Sequence, residues 1–321
     1  MTWKRLFGSL LWGLLITCSG QDVRLSGPIT GLVFDKPSQS LRQVAGMPGA
    51  ALLGPAVLSD VDWASVAPSG RVAIVVRQGE TRLFSTATGP AEVIIQGTVN
   101  TPLYSAWAAD SSTVALYSAT GSSVQSVRLT QQSPVADPAI PIAWEAKTHV
   151  TAFAADEKSR LLILATAGGV YRIGASGEPT LLLPLPDASA LAVEPGGQSM
   201  WIADRANAQL LQISDPASNP EPQVIGTDVD RLGDLSAIAL SSDRKHLYLA
   251  NRSTRRLYML DRSSAILSEG VELPGTATTF IPLGRPSVFL LGQRTKMGES
   301  LYILDENAGP GVIFIPAMEE R

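Results

Sequence analysis

The chain has 321 residues, 45% hydrophobic and only 17% charged, and it is punctuated by 28 glycines and 22 prolines. That mixture belongs to a globular, turn-rich protein with ample core, not to a disordered or fibrous one. A formal net charge of −4 excludes a strongly basic surface, so neither nucleic acid nor an anionic membrane face is an expected partner.

The chain begins MTWKRLFGSLLWGLLITCSG, with basic Lys4 and Arg5, an apolar stretch from Leu6 to Ile16, and then small and polar residues. This is the pattern of a secretory signal peptide, too short to persist as a membrane-spanning helix. Residues 1–20 are therefore expected to be a leader and residues 21–321 a single exported domain, periplasmic or extracellular. The only cysteine, Cys18, closes the apolar stretch. A cut after Gly20 leaves a free, cysteine-less protein. Alternatively, Leu15-Ile16-Thr17-Cys18 resembles the lipoprotein signal of bacteria, which would make Cys18 an acylated anchor, although Thr17 stands where Gly, Ala or Ser is usual. Either way no disulfide forms, and stability must come from the core.

Two short strands come next, Gly31 to Asp35 and Leu41 to Ala45, separated by Lys-Pro-Ser-Gln. Beyond them a unit recurs: an apolar strand, a turn, a second apolar strand, a polar loop and a third strand. Turns at Ser69, Asp110, Asp156, Gly196, Asp243 and Gly284 give intervals of 41, 46, 40, 47 and 41 residues. Four residues before each turn stand Ser65, Ala106, Ala152, Ala192, Ala239 and, as an exception, Phe280. The next positions hold Val66, Trp107, Phe153, Val193, Leu240 and Ile281. Small residues at one site and large apolar ones at the next cover both faces of a strand, as the crowded inner strand of a blade between blades requires.

The second strands, among them TVALYS (113–118), RLLILA (160–165) and HLYLAN (246–251), are β-branched and apolar runs bounded by turn formers. Periods near 40–45 residues with four strands each specify an all-β propeller. Six units are clear between Asp62 and Ala317. The N-terminal pair of strands makes half a blade or a degenerate seventh, helping to close the ring, and favours seven blades over six.

The unit LSAIALSSDRKHLYLANRSTRRLYMLD (235–261) resembles the YVTN-type repeats of bacterial surface proteins and of lactonase-like propellers. MWIADRANAQLLQI (200–213) is similar to the NHL variant. Arg244 and Lys245 follow the turn where the family has glycine and a basic residue. The resemblance implies the propeller fold and an extracytoplasmic setting, in families that include enzymes, adhesins and scaffolds.

Chemistry is sparse. His149 and His246 are the only histidines, which excludes a multi-histidine zinc site, and the single cysteine excludes haem attached through paired thiols. Neither a Gly-x-Ser-x-Gly elbow nor a phosphate-binding loop occurs. The tryptophans do not follow the docking pattern of quinone-dependent dehydrogenase blades. Trp107 and Trp201 read as core, and Trp63 as a residue of the axial mouth.

Asp62, Asp187 and Asp234 precede three inner strands at similar positions. With Asn251 or Glu194 they are the candidate oxygen donors for an axial Ca²⁺, as are Asp228, Asp230 and Asp234 within seven residues. Arg77, Arg205, Arg252, Arg294 and Lys296 fall in loops after the second strands, on the face of those aspartates. Together with Trp63 they would make a locally positive mouth for an anionic ligand or an acidic partner.

Two functional expectations follow. The first is a non-catalytic, exported, monomeric scaffold that binds a protein or small molecule, without a cofactor. The second is a lactonase-like hydrolase with a divalent metal in the axial channel.

Overall fold

The computed structural model describes residues 29–316 apart from 48, 88, 131–132, 145–147, 157–160, 219–220, 286 and 308–310. The leader, Cys18 and the expected cut after Gly20 lie outside these residues. Seven antiparallel sheets succeed one another, at 29–58, 63–94, 102–141, 150–183, 188–227, 235–272 and 281–315; they are numbered here as blades 1 to 7. Blade 1 has three strands and blade 3 a short extra one; the other five have four. Among the described residues helix is confined to Val229–Leu232 and a single 3-10 turn, Lys36–Ser38. The protein is a seven-bladed β-propeller.

The burial pattern explains why the second strands read as unbroken apolar runs. Every residue of Thr113–Ser118 and of Leu162–Thr166 is buried, because a neighbouring blade covers each face. Outermost strands such as Ala91–Ile94 and Glu221–Thr227 are largely exposed, with Val93, Ile94 and Val224 facing solvent. The core divides into seven apolar clusters, one at each interface between consecutive blades. Trp201, 1% exposed, fills the interface between blades 5 and 6, and Arg262 lies 4.6 Å over its ring.

The hairpin between first and second strands closes identically in blades 2 to 7. The N–H of Ala67, Ala108, Asp156, Glu194, Ser241 or Leu283 donates to the carbonyl five residues on, at 2.8–3.1 Å. Counted on these residues, the intervals are 41, 48, 38, 47 and 42. This corrects the sequence register: Asp156 begins its turn, and Gly284 is the residue immediately after its turn's first. The small-residue site is therefore held by Ala154 in blade 4 and Ile281 in blade 7, paired with Ile163 and Leu290 as Ala192 is with Trp201. Phe280 belongs to the preceding site, and the exception in blade 7 is Ile281.

The N-terminal strands close the ring as a blade of their own, packing on blade 7 rather than lending it a strand. Val33, Val44, Ala51 and Leu53 meet Val288, Leu290, Leu301, Ile303 and Ile315. Blade 1 also runs in the opposite sense. Its first strand, Ile29–Asp35, starts beside Gly70 and Gly284, in the inner turns of blades 2 and 7, where Leu32 N–H donates to Gly70 O at 3.0 Å. It ends at the other face of the ring, where Asp35 meets Arg294.

The three backbones pack without side chains between them. A Cβ on Gly284, at φ +68°, would fall 1.9 Å from Thr30 O. Gly284→Ala combines a left-handed backbone with a backbone clash, together worth about 2–4 kcal/mol. A drop in Tm of about 5–10 °C is expected on thermal unfolding, and an unchanged Tm would show that the ring is not clamped there.

Candidate functional site

Seven first strands enclose an axial tunnel of about 610 Å³. Its lining residues are apolar or neutral polar throughout, and none bears a charged side chain. The first strands of blades 4, 5 and 6 each carry a β-bulge at the tunnel wall, at Thr151, Ser189 and Ser236, five residues before the hairpin closure. Each hydroxyl donates to a carbonyl of the next blade: Thr151 to Ala188 O at 2.6 Å, Ser189 to Leu235 O at 2.7 Å, Ser236 to Ala277 O at 2.6 Å. A bulge re-aims one side chain without breaking the hairpin, and here it ties blade to blade. Deeper in the tunnel, Trp107 Nε1 donates to Ser65 Oγ at 2.8 Å, and Ser65 and Ser105 share a hydrogen bond of 2.6 Å. Trp107 thus lines the tunnel as well as packing between blades 2 and 3. Burial pushes the hydroxyl pKa of Tyr104, another wall residue, above its ordinary value, so it remains neutral.

The face that carries the entrances to the first strands of blades 2 to 7 holds a chain of ion pairs. Arg205 grips Asp187 with two hydrogen bonds, Nε to Oδ2 at 2.7 Å and Nη2 to Oδ1 at 2.9 Å, and its Nη1 lies 3.6 Å from Asp234 Oδ1. Arg252 holds Asp234 in the same two-point manner, at 3.2 and 2.9 Å. The four residues form a continuous chain, Asp187–Arg205–Asp234–Arg252, across the entrances of blades 5 and 6. The bonds to Asp187 raise the pKa of Arg205 and keep it charged. Backbone geometry fixes the pairing, since Arg205 N–H donates to Asp187 O and Arg252 N–H to Asp234 O.

The arginines of the cationic rim expected from the sequence face carboxylates. Arg294 is 3% exposed and donates to Asp35 Oδ2 at 3.1 Å inside the seam between blades 7 and 1. Arg77 turns to the outer strand of its own blade, 3.1 Å from Glu92, and to Asp60. Lys296 is exposed in the loop beyond. Trp63 lines the tunnel just inside the entrance.

The expected oxygen donors do not gather either. Asp62 is exposed and stands five residues before its hairpin closure, the bulge position of the other blades, so it is not equivalent to Asp187 and Asp234. Glu194 lies at the opposite face, against Arg262 at 3.4 Å. Asn251 is buried, with its carbonyl oxygen accepting from Ser253 and Thr254. Asp228 caps the short helix and binds Arg231, which lowers its pKa. Among the described residues no group of three or more His, Cys, Asp or Glu side chains could hold a metal. With guanidinium groups on the oxygens of Asp187 and Asp234, the donor set does not fit a calcium ion.

Sequence reasoning missed three features. The bulge hydroxyls announce themselves as VTA, ASA and LSA at one offset from the turn. The ion pairs announce themselves as an 18-residue spacing, Asp187 to Arg205 and Asp234 to Arg252. Asp35 and Arg42, both buried, gave no signal.

No family model matches the chain, and no curated protein does. Solved structures do match in fold. A "putative 6-phosphogluconolactonase" from Bacteroides fragilis aligns with TM-score 0.60 at 13% identity, covering 90% of this chain and 94% of that one. A second so named, from Bacteroides uniformis, aligns with TM-score 0.61 at 14% identity, covering 90% and 96%. The periplasmic gluconolactonase of Pseudomonas aeruginosa aligns with TM-score 0.60 at 16% identity, covering 90% and 97%. The names of these neighbours are those of lactonases and go against the expectation of a non-catalytic scaffold, while the likeness itself, at 13–16% identity, is one of fold. The chain shares the β-propeller fold of these structures.

Proposed function

We propose that the protein is a lactone hydrolase whose reacting groups are the Asp–Arg chain at the tunnel mouth. The observation that carries this reading is the arrangement Asp187–Arg205–Asp234–Arg252, which sets a carboxylate and fixed guanidinium donors side by side above a neutral cavity. The lactonase names among the fold's neighbours support it.

Ring opening needs a water activated for attack on the ester carbonyl, a donor for the oxygen that gains charge, and a proton for the leaving ring oxygen. Asp234 takes the water proton as the new C–O bond forms. Arg205, anchored by Asp187, donates to the carbonyl oxygen as it becomes an oxyanion. The ring C–O bond then breaks, and the proton held by Asp234 passes to the departing oxygen. The product is a hydroxy acid, which releases its carboxyl proton to solvent and is then anionic where the substrate was neutral. No redox partner enters the balance.

The basic and apolar leader supports an extracytoplasmic setting for this activity. Among the described residues no helix is long and apolar enough to cross a membrane.

The test is acid release from five- and six-membered sugar lactones, followed by pH-stat against the spontaneous rate. The wild type accelerates release. Arg205→Lys, which keeps the charge but loses the two-point geometry, lowers kcat about 10²-fold. Absence of protein-dependent acid release would overturn the reading.

A further inference from the structure

We infer that the tunnel beneath the mouth is a binding site for an uncharged polyhydroxylated ring, and that it discriminates against phosphorylated substrates. This rests on the lactone-hydrolase reading and adds its substrate class. The argument is electrostatic and stereochemical. A phosphate monoester carries close to two negative charges and needs unpaired cations or converging N–H donors. The tunnel wall has no charged side chain, and the charges of the mouth arginines Arg205 and Arg252 are balanced by Asp187 and Asp234.

Of the polar groups that line the tunnel, three are spent as donors, while Thr278, Thr279 and Gln293 add further neutral polar atoms. Thr151, Ser189 and Ser236 each give their proton to a carbonyl of the next blade, leaving oxygen lone pairs as what they offer a ligand. These three acceptors suit hydroxyl donors and are repulsive to anions. Trp63 and Trp107 supply apolar ring surface beside it, as the C–H faces of a sugar require.

Leu103 marks where the selectivity can be reversed. It occupies the bulge position of blade 3, lines the tunnel and is 49% exposed, so a longer side chain fits without disturbing the core. Leu103→Arg would place an unpaired cation at the wall.

The experiment compares glucono-1,5-lactone with its 6-phosphate for turnover. It also compares gluconolactam, whose ring amide resists opening, with its 6-phosphate for binding, read by tryptophan fluorescence. For the wild type, kcat/KM is expected to be about tenfold or more higher for the neutral lactone, and the neutral lactam to bind about tenfold or more tighter. Leu103→Arg is expected to shift both ratios about tenfold toward the phosphorylated compounds. Equal or better use of the phosphorylated compounds by the wild type would overturn the inference. Selective lactam binding without turnover would sustain it while removing the hydrolase reading; turnover without selectivity would do the reverse. Neither binding nor turnover removes both.

Discussion

Asp234→Asn is expected to lower kcat for lactone hydrolysis by about 10²–10⁴-fold while leaving the melting temperature nearly unchanged. The substitution keeps the shape of the side chain and one carbonyl oxygen for Arg252, so the mouth retains its geometry. What it removes is the capacity to take a proton. Asp234 is the better candidate for that step because its Oδ1 lies between two guanidinium groups, 2.9 Å from Arg252 Nη2 and 3.6 Å from Arg205 Nη1. The longer of these contacts leaves room for a water to approach. Asp187 has both oxygens in short bonds to Arg205 and acts as a positioning residue. Asp187→Asn should therefore cost about tenfold, an order of magnitude or more less than Asp234→Asn. Rates by pH-stat and unfolding by circular dichroism check the pair. Full activity in Asp234→Asn would place the base elsewhere, and equal losses would show that the two carboxylates act as a unit.

The fold was legible because propeller blades repeat a hydrophobic pattern that any single blade would leave ambiguous. The seven-blade reading came from Gly31 to Asp35 and Leu41 to Ala45, two strands too apolar and too well bounded to be a linker. Direction was not legible. Strand periodicity is the same read up or down, so nothing in residues 29–35 announced that blade 1 runs opposite to the others. The two misplaced registers came from using Asp156 and Gly284 as turn centres. Asp and Gly both favour turns, but at different positions within them.

At the mouth, the relevant aspartates and arginines were all visible, yet they read as two separate sets. The error lay in counting charges by loop instead of by the distance that folds Asp187 onto Arg205 and Asp234 onto Arg252, 18 residues in each case. The seam between blades 7 and 1 was beyond reach, because only ring closure brings Arg294 to Asp35, 259 residues away.

That seam carries the largest expected effect on stability. Asp35 is 1% exposed and Arg294 3% exposed, and Arg42, also 3% exposed, approaches the same carboxylate oxygen at 3.5 Å while its Nε donates to Gly54 O. A carboxylate withdrawn this far from water depends on its partners, and removing one strands a buried charge. Breaking a buried pair from one side costs about 3–5 kcal/mol. Arg294→Ala is expected near the lower end, since Arg42 remains beside Asp35, and it should lower Tm by about 6–10 °C. The exposed counterpart supplies the contrast: Arg252→Ala should leave Tm within about 1–2 °C, because half-exposed ion pairs add little.

Removing both charges distinguishes a pair that stabilises from one that merely must not be broken. In Asp35→Asn combined with Arg294→Met, the carboxylate left short of a partner is gone and the volume is kept, while buried Arg42 keeps its bond to Gly54 O, so part of the loss should be recovered. Recovery would assign the pair to holding the register in which blade 1 meets blade 7, with the apolar contacts of Val33, Val44 and Leu53 supplying the adhesion. Failure to recover would mean that the hydrogen bonds of the clasp themselves hold the ring shut.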